Sequence, residues 1–474
     1  MSNRTDINTE GKPSGWDHID GVRIAAYRAG DANVDVLVRD IRAIGPPPAE
    51  GTREAARAAV ARVGQLASFN TIAQATNEIA RLAGTNERVA QAVAASATAR
   101  QKALNDLDHD NFSSAEEDAA AAAEQLERAY CLAQKPQAGE LRGFWCHSAY
   151  GPSGMTWDEA IHRLSQNGFN AIFPNMLWGG AAFYPSKVLP VAGAVAQHGD
   201  AVRECLEACR KYGVQIHVWK VNWNLGSYAP KDFVQKMRQE GRLQASAEGK
   251  EEPWLCPSHP ENQKLESEAM LELVRNYDID GIHFDYIRYP DAEHCFCAGC
   301  RERFERASGV QLTNWPQQVL AGGALREKWL DWRRENITRV VATVSEKARA
   351  IRPKIKISAA VFRYWNTDRD LVGQDWKIWC DKGYLDFVCP MDYTPSLARF
   401  ENMVSQQVQW AGRVPCYPGL GVSASSSRFG PDRAIEEINL TRRYQTHGFL
   451  IFNYSPEISR NFLPQLGMGI TAKP

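Results

Sequence analysis

The chain has 474 residues, and its 55 lysines and arginines nearly balance its 56 aspartates and glutamates, which leaves a formal charge of −1. The chain therefore lacks the net positive charge that is typical of proteins that bind nucleic acid or an anionic membrane. No apolar run approaches the length that spans a bilayer, and no signal-peptide core follows the first residues. We therefore expect a soluble chain with no nucleic-acid partner and no transmembrane segment, and we leave the oligomeric state open.

Residues 1–138 differ from the rest of the chain, because they are rich in Ala, Glu, Arg and Gln and poor in aromatic residues. Ser113 or Ser114 is placed to cap a long helix, whereas the strand-like piece Val34–Val38 has no assignment. We predict an N-terminal, mostly helical accessory region at 1–138, followed by a second domain at 139–474.

From residue 139 onward, short apolar runs alternate with longer helical stretches, which is the pattern of a parallel sheet with crossover helices. Thr156 and Glu159 form a predicted capping box on one such helix, and Pro431 suits the first turn of the last one. Eight strands are predicted: Leu141–His147, Asn170–Asn175, Gln215–Asn222, Gly281–Ile287, Lys354–Phe362, Phe387–Tyr393, Val414–Leu420 and Phe449–Tyr454. Eight βα repeats predict the α/β class and a (β/α)8 TIM barrel.

The segment Asp280–Pro290 combines a buried apolar strand with ionisable and aromatic residues at its end. In a (β/α)8 barrel, catalytic side chains lie at the carboxyl ends of the strands. Paired carboxylates among aromatic and amide side chains are what cleavage of a glycosidic bond requires. We predict that Asp285 on the fourth strand and Asp392 on the sixth are the catalytic carboxylates.

Each carboxylate also has a structural interpretation. Asp285 can form an ion pair with Arg288 or Lys220, although its position at a strand end favours a functional role. For Asp392 the two interpretations are equally open. If Asp392 is structural, the second acid comes from a loop, where the candidates are Glu252, Asp291, Glu293, Asp368 and Asp370.

The strand ends also carry side chains of the types that bind sugars. Aromatic faces stack on sugar rings, amides pair with hydroxyl or acetamido groups, and cations hold carboxylates such as the lactyl group of muramic acid. The predicted substrate-binding residues are His147, Asn175, Trp178, Lys220, Asn222, Trp223, Arg288, Tyr289, Arg363, Tyr364, Tyr393 and Asn453. No Gly-rich phosphate-binding motif is present, so we expect no organic cofactor.

Four of the eleven cysteines are organised: Cys295, Cys297 and Cys300 follow the fourth strand in a C-x-C-x₂-C run, and Cys256 lies upstream. Such a set can supply the closed tetrahedral sulfur shell of a structural zinc site. Disulfides in an exported protein, or unpaired buried thiols, are the alternatives. We expect a zinc ion that braces the loop after the fourth strand and takes no part in the chemistry.

From about residue 139 the chain resembles the glycosyl-hydrolase-like family 10, a family of bacterial glycoside hydrolase-like barrels. The resemblance is carried by Leu141-Arg142-Gly143-Phe144-Trp145, Phe169-Asn170-Ala171-Ile172-Phe173, His217-Val218-Trp219, Asp280–Pro290 and Asp386-Phe387-Val388-Cys389-Pro390. It implies a TIM barrel that acts on peptidoglycan-type glycans. It also implies export to the periplasm or beyond, with a signal absent from this sequence; a cytoplasmic location is the alternative.

Two further resemblances concern the cysteines and the fourth strand. The four cysteines are similar to the zinc-binding cysteines of family 42 β-galactosidases, which implies zinc at these positions. The segment Asp280–Pro290 is similar to the D-x-x-D-x-D-x-E signature of family 18 chitinases, but Ile287 stands where the catalytic Glu belongs. The chemistry of that family is therefore excluded. By analogy with retaining barrels, Asp285 is the expected nucleophile and Asp392 the expected proton donor.

We therefore expect a glycoside hydrolase that acts on a polysaccharide or a peptidoglycan-type glycan through two carboxylates. The alternative is a non-catalytic carbohydrate-binding TIM barrel that keeps the cleft and uses Asp285 as a hydrogen-bond acceptor. The enzyme, unlike the binding barrel, hydrolyses at least one glycan, and this hydrolysis requires Asp285.

Overall fold

The computed structural model describes residues 51–473, so the strand-like piece Val34–Val38 lies outside the described residues. Four helices precede the first strand: α1 (Arg53–Arg62), α2 (Ile72–Ala83), α3 (Glu87–Asp108) and α4 (Phe112–Ala133). The prediction of a helical N-terminal region is confirmed. The described residues form two compact units, 51–63 with 95–124 and 64–94 with 125–473. The domain boundary at residue 138 stays a prediction.

The second unit contains a nearly closed parallel barrel, as the sequence pattern predicted. Its strands are β1 (Leu141–Cys146), β2 (Ala171–Trp178), β3 (Gln215–Val221), β4 (Gly281–Asp285), β5 (Lys356–Val361), β6 (Phe387–Pro390), β7 (Gly419–Leu420) and β8 (Gly448–Phe452). The strands pair in parallel from β1 through β6, and β1 also pairs with β8, which pairs with β7. Parallel bridges from Val388 to Cys416 and from Met391 to Gly419 join β6 to the segment of β7.

Helices connect the strands and cover the outside of the barrel. They are α5 (Trp157–Gln166), α6 (Val195–His198), α7 (Ala201–Tyr212), α8 (Lys231–Gln239), α9 (Pro260–Asn276), α10 (Ala298–Ser308), α11 (Arg326–Ile351), α12 (Trp365–Leu371), α13 (Trp376–Asp381), α14 (Leu397–Ala411), α15 (Pro431–Arg443) and α16 (Leu463–Gly467), with a π-helical turn at Ile458–Phe462. The Thr156–Glu159 capping box is present, and Pro431 occupies the first turn of α15. No helix in the described part of the chain has the length and apolar character that crossing a bilayer requires.

The loops at the carboxyl ends of the barrel strands contain short strands and hairpins. A hairpin formed by Leu243–Ala245 and Glu251–Leu255 follows β3, and a smaller one formed by Ser423–Ala424 and Ser427–Arg428 follows β7. A two-residue strand, Ala181–Ala182, folds back against β2. These additions shape the barrel mouth.

The alternation of side chains along each strand decides which residues face the barrel interior. Trp145, Phe173, Trp219 and Phe387 point inward and form one cluster, in which each buried phenylalanine contributes roughly 1.5–3 kcal/mol. Their sequence neighbours on the same strands point outward into the layer packed by the helices. On each strand, the residues directly before and after an inward-facing residue point towards the helices. Their side chains therefore do not reach the barrel mouth, even when they are polar or charged.

The barrel centre also contains buried polar groups that are hydrogen-bonded in a chain. The Trp145 indole Nε1 donates to Nε2 of His283 at 3.0 Å, and Nδ1 of His283 lies 2.8 Å from the Ser358 hydroxyl. His217 lies beneath them, and a Cβ at Gly281 would approach its Nδ1 to 2.1 Å, so this position requires glycine. This layer forms the floor below the carboxyl end of β4.

Candidate active site

Asp285 is the last residue of β4 and lies at the carboxyl end of the barrel, with 5% of its surface exposed. The next residue, Tyr286, has a left-handed backbone (φ 52°), which turns its N–H back to Asp285 Oδ1 at 2.7 Å. Burial raises the pKa of Asp285 to about 6, although the Tyr286 N–H, Arg288 and the Trp219 side chain each lower it. A carboxyl with this pKa donates or accepts a proton near neutral pH.

Aromatic rings and a guanidinium surround one side of this carboxyl. Arg288 lies over the rings of Tyr286 and Phe362, with its central carbon 4.6 and 4.4 Å from the two centroids. Trp254, from the hairpin after β3, packs against Tyr286 at 5.6 Å between centroids. Tyr286, Phe362 and Trp254 were not predicted from the sequence to contact a sugar, because their approach depends on loops that follow three different strands.

A pocket of about 470 Å³ opens between the loops that follow β8, β1, β2 and β3. Four predicted substrate-binding residues line it: His147, Asn175, Trp178 and Asn453. His147 connects the pocket to the carboxylate, since its ring packs edge-on against Trp219 at 5.5 Å. Partial burial lowers the pKa of His147, although part of its surface is exposed. Four further aromatic residues, which were not predicted from the sequence, line the same pocket: Tyr150, Phe183, His198 and Tyr228.

Arg363, Tyr364 and Tyr393 lie on the β5 and β6 side of the mouth. Arg363 is half-buried and donates from Nη1 to the Tyr393 carbonyl at 3.0 Å. The Tyr393 ring points inward and packs against Trp145 at 6.4 Å between centroids. Burial, together with the charge of Asp285, raises the pKa of Tyr393 well above its usual range.

The structure does not bring Asp392 to the mouth. Its side chain points outward, is fully buried and accepts a hydrogen bond from Gln407 Nε2 of α14 at 2.7 Å. Burial raises its pKa to about 8, and its second oxygen has no hydrogen-bond partner among the described residues. The physical reason is alternation: Met391 and Tyr393 face the barrel interior, so Asp392 faces the helices. This geometry gives Asp392 a structural environment and removes the support for a catalytic role.

The same alternation separates Lys220 and Asn222 from the substrate side. Both are fully buried against α9, where Lys220 Nζ lies 3.1 Å from Glu266 Oε2 and Asn222 donates to Glu266 at 2.7 Å. Burial lowers the pKa of Lys220, and Glu266 opposes this effect. Lys220 is thus paired with Glu266 and not with Asp285. Trp223 is also fully buried, within the hydrophobic layer between strands and helices.

Tyr289 is likewise a core residue and not part of the sugar-facing surface. It is fully buried, and the Arg333 guanidinium lies 4.3 Å from its ring centroid. Arg333 in turn donates to the Asp291 and His294 carbonyls at 2.7 Å each. Tyr289 therefore helps to fix the loop after β4.

Among the carboxylates of the mouth loops, Asp368 has the environment closest to that of Asp285. It is 9% exposed at the start of α12, and its Oδ2 accepts the Tyr364 N–H at 2.8 Å. Burial raises its pKa, whereas Arg363 and Arg288 lower it. Arg288 is also within electrostatic reach of Asp285, so one guanidinium interacts with both acids. The other loop acids differ: Asp370 pairs with Arg334, Asp291 with His294, and Glu252 with Lys250.

Cys256, Cys295, Cys297 and Cys300 converge as one buried cluster whose sulfur atoms all lie within 4.8 Å of one another. Cys256 Sγ lies 3.4 Å from Cys300 Sγ and 3.8 Å from Cys297 Sγ, and all four are free cysteines. Tetrahedral coordination with bonds of 2.3 Å places sulfur atoms about 3.8 Å apart. The cluster therefore fits a four-thiolate metal site with no position left for water.

A cation and a hydroxyl lie beside these sulfurs. Arg303 Nη2 lies 3.5 Å from Cys256 Sγ, and its Nε donates to Ser258 Oγ at 2.9 Å. Ser258 Oγ in turn lies 3.2 Å from Cys256 Sγ. Gly299 makes room for this arrangement, because a Cβ there would meet Arg303 Nη1 at 2.6 Å. One positive charge thus stands next to a cluster that is strongly negative when the thiols are deprotonated.

The cysteine cluster joins two loops of the barrel mouth. Cys256 directly follows the hairpin that carries Trp254, while the other three cysteines follow the β4 loop that carries Tyr286 and Arg288. The Phe296 N–H also donates to the Ala245 carbonyl at 2.7 Å, which ties the same two loops together. The cluster consequently holds the aromatic side of the site in position.

Comparison with known structures agrees with the barrel fold. The glycoside hydrolase domain of PgaB (BpsB) from Bordetella bronchiseptica superposes with a TM-score of 0.56 at 13% identity, covering 71% of this chain and all of that domain. The catalytic domain of a β-amylase from Paenibacillus polymyxa superposes with a TM-score of 0.52 at 13% identity, covering 70% of this chain and 99% of that one. At these identities the likeness establishes the fold alone.

Sequence comparison identifies the family. Glycosyl hydrolase DigH of Escherichia coli K12 is 24% identical over 312 residues, which cover 59% of this chain and 67% of that protein. An S-layer-related protein of Niallia circulans is 26% identical over 311 residues, covering 54% of this chain and 19% of that protein. The family model described as glycosyl hydrolase-like 10 matches residues 140–417, from β1 to the start of the β7 segment. The chain belongs to the glycosyl hydrolase-like 10 family.

Proposed function

We propose that this protein is a glycoside hydrolase that cleaves a polysaccharide or a peptidoglycan-type glycan, with Asp285 as its central catalytic carboxyl. The observation that carries the proposal is the position of Asp285 at the carboxyl end of β4, beside a guanidinium-aromatic cluster and linked through Trp219 and His147 to an aromatic-lined pocket. Family membership supports the reaction class. The alternative of a silent carbohydrate-binding barrel predicts binding without cleavage.

The raised pKa of Asp285 supports a role as proton donor instead of the nucleophilic role expected from the sequence. A nucleophile must be ionised, whereas a carboxyl with a pKa of about 6 still carries a proton at mildly acidic pH. Asp368 is our candidate for the second carboxylate, because it is buried nearby and interacts electrostatically with Arg288, as Asp285 does. Asp368→Asn in an otherwise unchanged chain tests this pairing.

The assay is release of new reducing ends from a panel of purified glycans that includes intact sacculi, glycan strands without peptides, and neutral polysaccharides. Release from at least one of them by the wild-type chain, and loss of that release in Asp285→Asn, supports hydrolysis. Glycan binding without reducing-end release from every member of the panel supports the silent barrel instead.

We also propose that the four-cysteine cluster holds a structural zinc ion. The sulfur spacing, the burial and the absence of a disulfide among the four support it. When bound, zinc would supply rigidity to the two mouth loops and no Lewis acid for the reaction. Elemental analysis of purified protein is expected to give about one zinc per chain.

An envelope or extracellular location is proposed on the basis of the relatives. One of them is an S-layer-related protein. Fractionation of the native host with an antibody against residues 139–474 tests this location. Recovery of the protein in the cytoplasmic fraction alone would contradict it.

A further inference from the structure

Among the described residues that line the pocket beside His147, none has a carboxylate, amine or guanidinium side chain. Its lining consists of Ser, Ala, Gly, Pro and Asn residues, two histidines, and the aromatic side chains Tyr150, Trp178, Phe183, Tyr228 and Tyr454. The mouth around Asp285 is different on its β4 and β5 side, where Arg288 and Arg363 lie. The two sides of the cleft therefore present opposite environments to a bound glycan.

This lining determines what the pocket can hold. A carboxylate or an ammonium group placed there would lose part of its hydration without contacting a lysine, arginine or acidic side chain among the described lining residues, which is unfavourable. Glu204 and Asp200 act on Tyr150 electrostatically but are not lining residues. A neutral sugar ring, in contrast, gains contact between its C–H faces and the aromatic rings and can hydrogen-bond to the serine and amide groups. The lining therefore favours a neutral sugar over a charged one.

Tyr228 stands out within this wall because it is 55% exposed although it is a large aromatic residue. Its ring lies 5.0 Å from Phe183 and 6.4 Å from Trp178, centroid to centroid, which fixes it at the pocket rim. An exposed ring held by the buried Phe183 and the half-buried Trp178 is prepared to accept a ligand with little loss of side-chain entropy. It is the natural stacking platform of the pocket.

We propose that this pocket is the subsite for an uncharged sugar of the substrate glycan, and that any anionic sugar unit lies on the opposite, Arg288–Arg363 side of Asp285. The proposal rests on the proposed hydrolase function, since it orients the glycan across the same carboxyl. It specifies a substrate class: a chain in which at least one unit next to the cleaved bond has neither a carboxylate nor a free amine.

The test is calorimetric titration of the Asp285→Asn protein with oligosaccharides of equal length but different charge. The probes are tetramers of N-acetylglucosamine and of glucose, both neutral, and tetramers of glucosamine and of galacturonic acid, which are charged. We expect a neutral tetramer to bind more than about 10-fold more tightly than the glucosamine tetramer. We expect Tyr228→Ala to weaken binding of the neutral tetramers by roughly 2- to 12-fold.

Ile351→Ala is the matched control, because Ile351 is also a large exposed apolar residue but ends α11, at the opposite end of the barrel. It is expected to leave all four affinities unchanged. Equal binding of neutral and cationic tetramers, together with no effect of Tyr228→Ala, would overturn the proposed subsite even if the wild type cleaves glycans. Selective neutral binding that depends on Tyr228 upholds the subsite even if no glycan is cleaved, in which case the hydrolase proposal alone fails.

Discussion

Gln407 of α14 donates its side-chain amide to Asp392 at 2.7 Å, on the side of β6 that faces the helices. The other Asp392 oxygen, the Gln407 oxygen and both Glu437 oxygens have no hydrogen-bond partner among the described residues. Burial raises the pKa of Glu437 well above its usual range, and the Asp392 charge raises it further. The cluster of Asp392, Gln407 and Glu437 is therefore a buried one in which desolvation favours the neutral acids.

This cluster makes Asp392→Asn a stabilising change at high pH. The folded-state pKa of Asp392, about 8, is above its ordinary value of 3.8, so its contribution to stability is complete below pH 4 and is lost as the pH rises to 8. An amide needs no proton, can still accept from Gln407, and carries no charge for burial to penalise. We expect the variant to unfold at a higher temperature than wild type at pH 8 and to show little gain at pH 4, as measured by thermal melts. A lower melting temperature at pH 8 would contradict the structural role.

Lys220 provides a test of the buried ion pair with Glu266. Lys220→Met leaves Glu266 charged and without its cation in the layer behind β3, which is expected to destabilise the fold by about 3–5 kcal/mol. The double variant Lys220→Met, Glu266→Gln removes both charges and should recover much of that loss in denaturant unfolding. If Lys220→Met leaves the free energy of unfolding unchanged and weakens glycan binding, Lys220 would instead be assigned to substrate binding.

Arg303 is expected to slow the loss of metal from the cysteine cluster, because its charge partly offsets that of the thiolates. Arg303→Gln should release zinc to a chromogenic chelator about 10-fold faster than wild type. Arg306→Gln, an exposed position on the same helix, is the control and should release it at the wild-type rate. Equal release rates from Arg303→Gln and wild type, or metal-free protein from the start, would count against this arrangement.

The pH dependence of turnover follows from the pKa of Asp285. If Asp285 donates a proton, its active form is the acid, which is depleted as the pH rises through about 6. We expect kcat/KM to fall above pH 6 on a soluble glycan substrate. A rise of kcat/KM through the same range would show that the ionised form is active, and Asp285 would then be the nucleophile.

The regular features of the fold could be predicted because each depends on a local pattern. Strands β1 to β6 and β8, the Thr156 capping box and Pro431 in the first turn of α15 are explained by hydrophobic period and end signals. Strand β7 is present but comprises only Gly419–Leu420, shorter than the predicted Val414–Leu420. The convergence of His147 and Asn453 in one pocket followed from barrel topology alone, since β1 and β8 are neighbours.

What the pattern could not predict was the side of each strand that faces the interior. In β3 each face mixes apolar and polar residues, so the sequence does not show that Trp219 points inward and Lys220 outward. The partner of Lys220 is Glu266, 46 residues away on α9, and only the packing of that helix reveals it. Trp254 was missed for a similar reason, because its position depends on a hairpin held by the cysteine cluster.

The central claim is that Asp285, and not Asp392, carries the chemistry, and paired variants test it most directly. Reducing-end release should be measured for wild type, Asp285→Asn and Asp392→Asn on the best substrate of the panel, with melting temperature and glycan binding recorded for each. We expect Asp285→Asn to lose roughly 10²- to 10⁴-fold in turnover while it still folds and binds, and Asp392→Asn to retain turnover. Wild-type turnover in Asp285→Asn, or loss of turnover in a well-folded Asp392→Asn, would contradict the assignment.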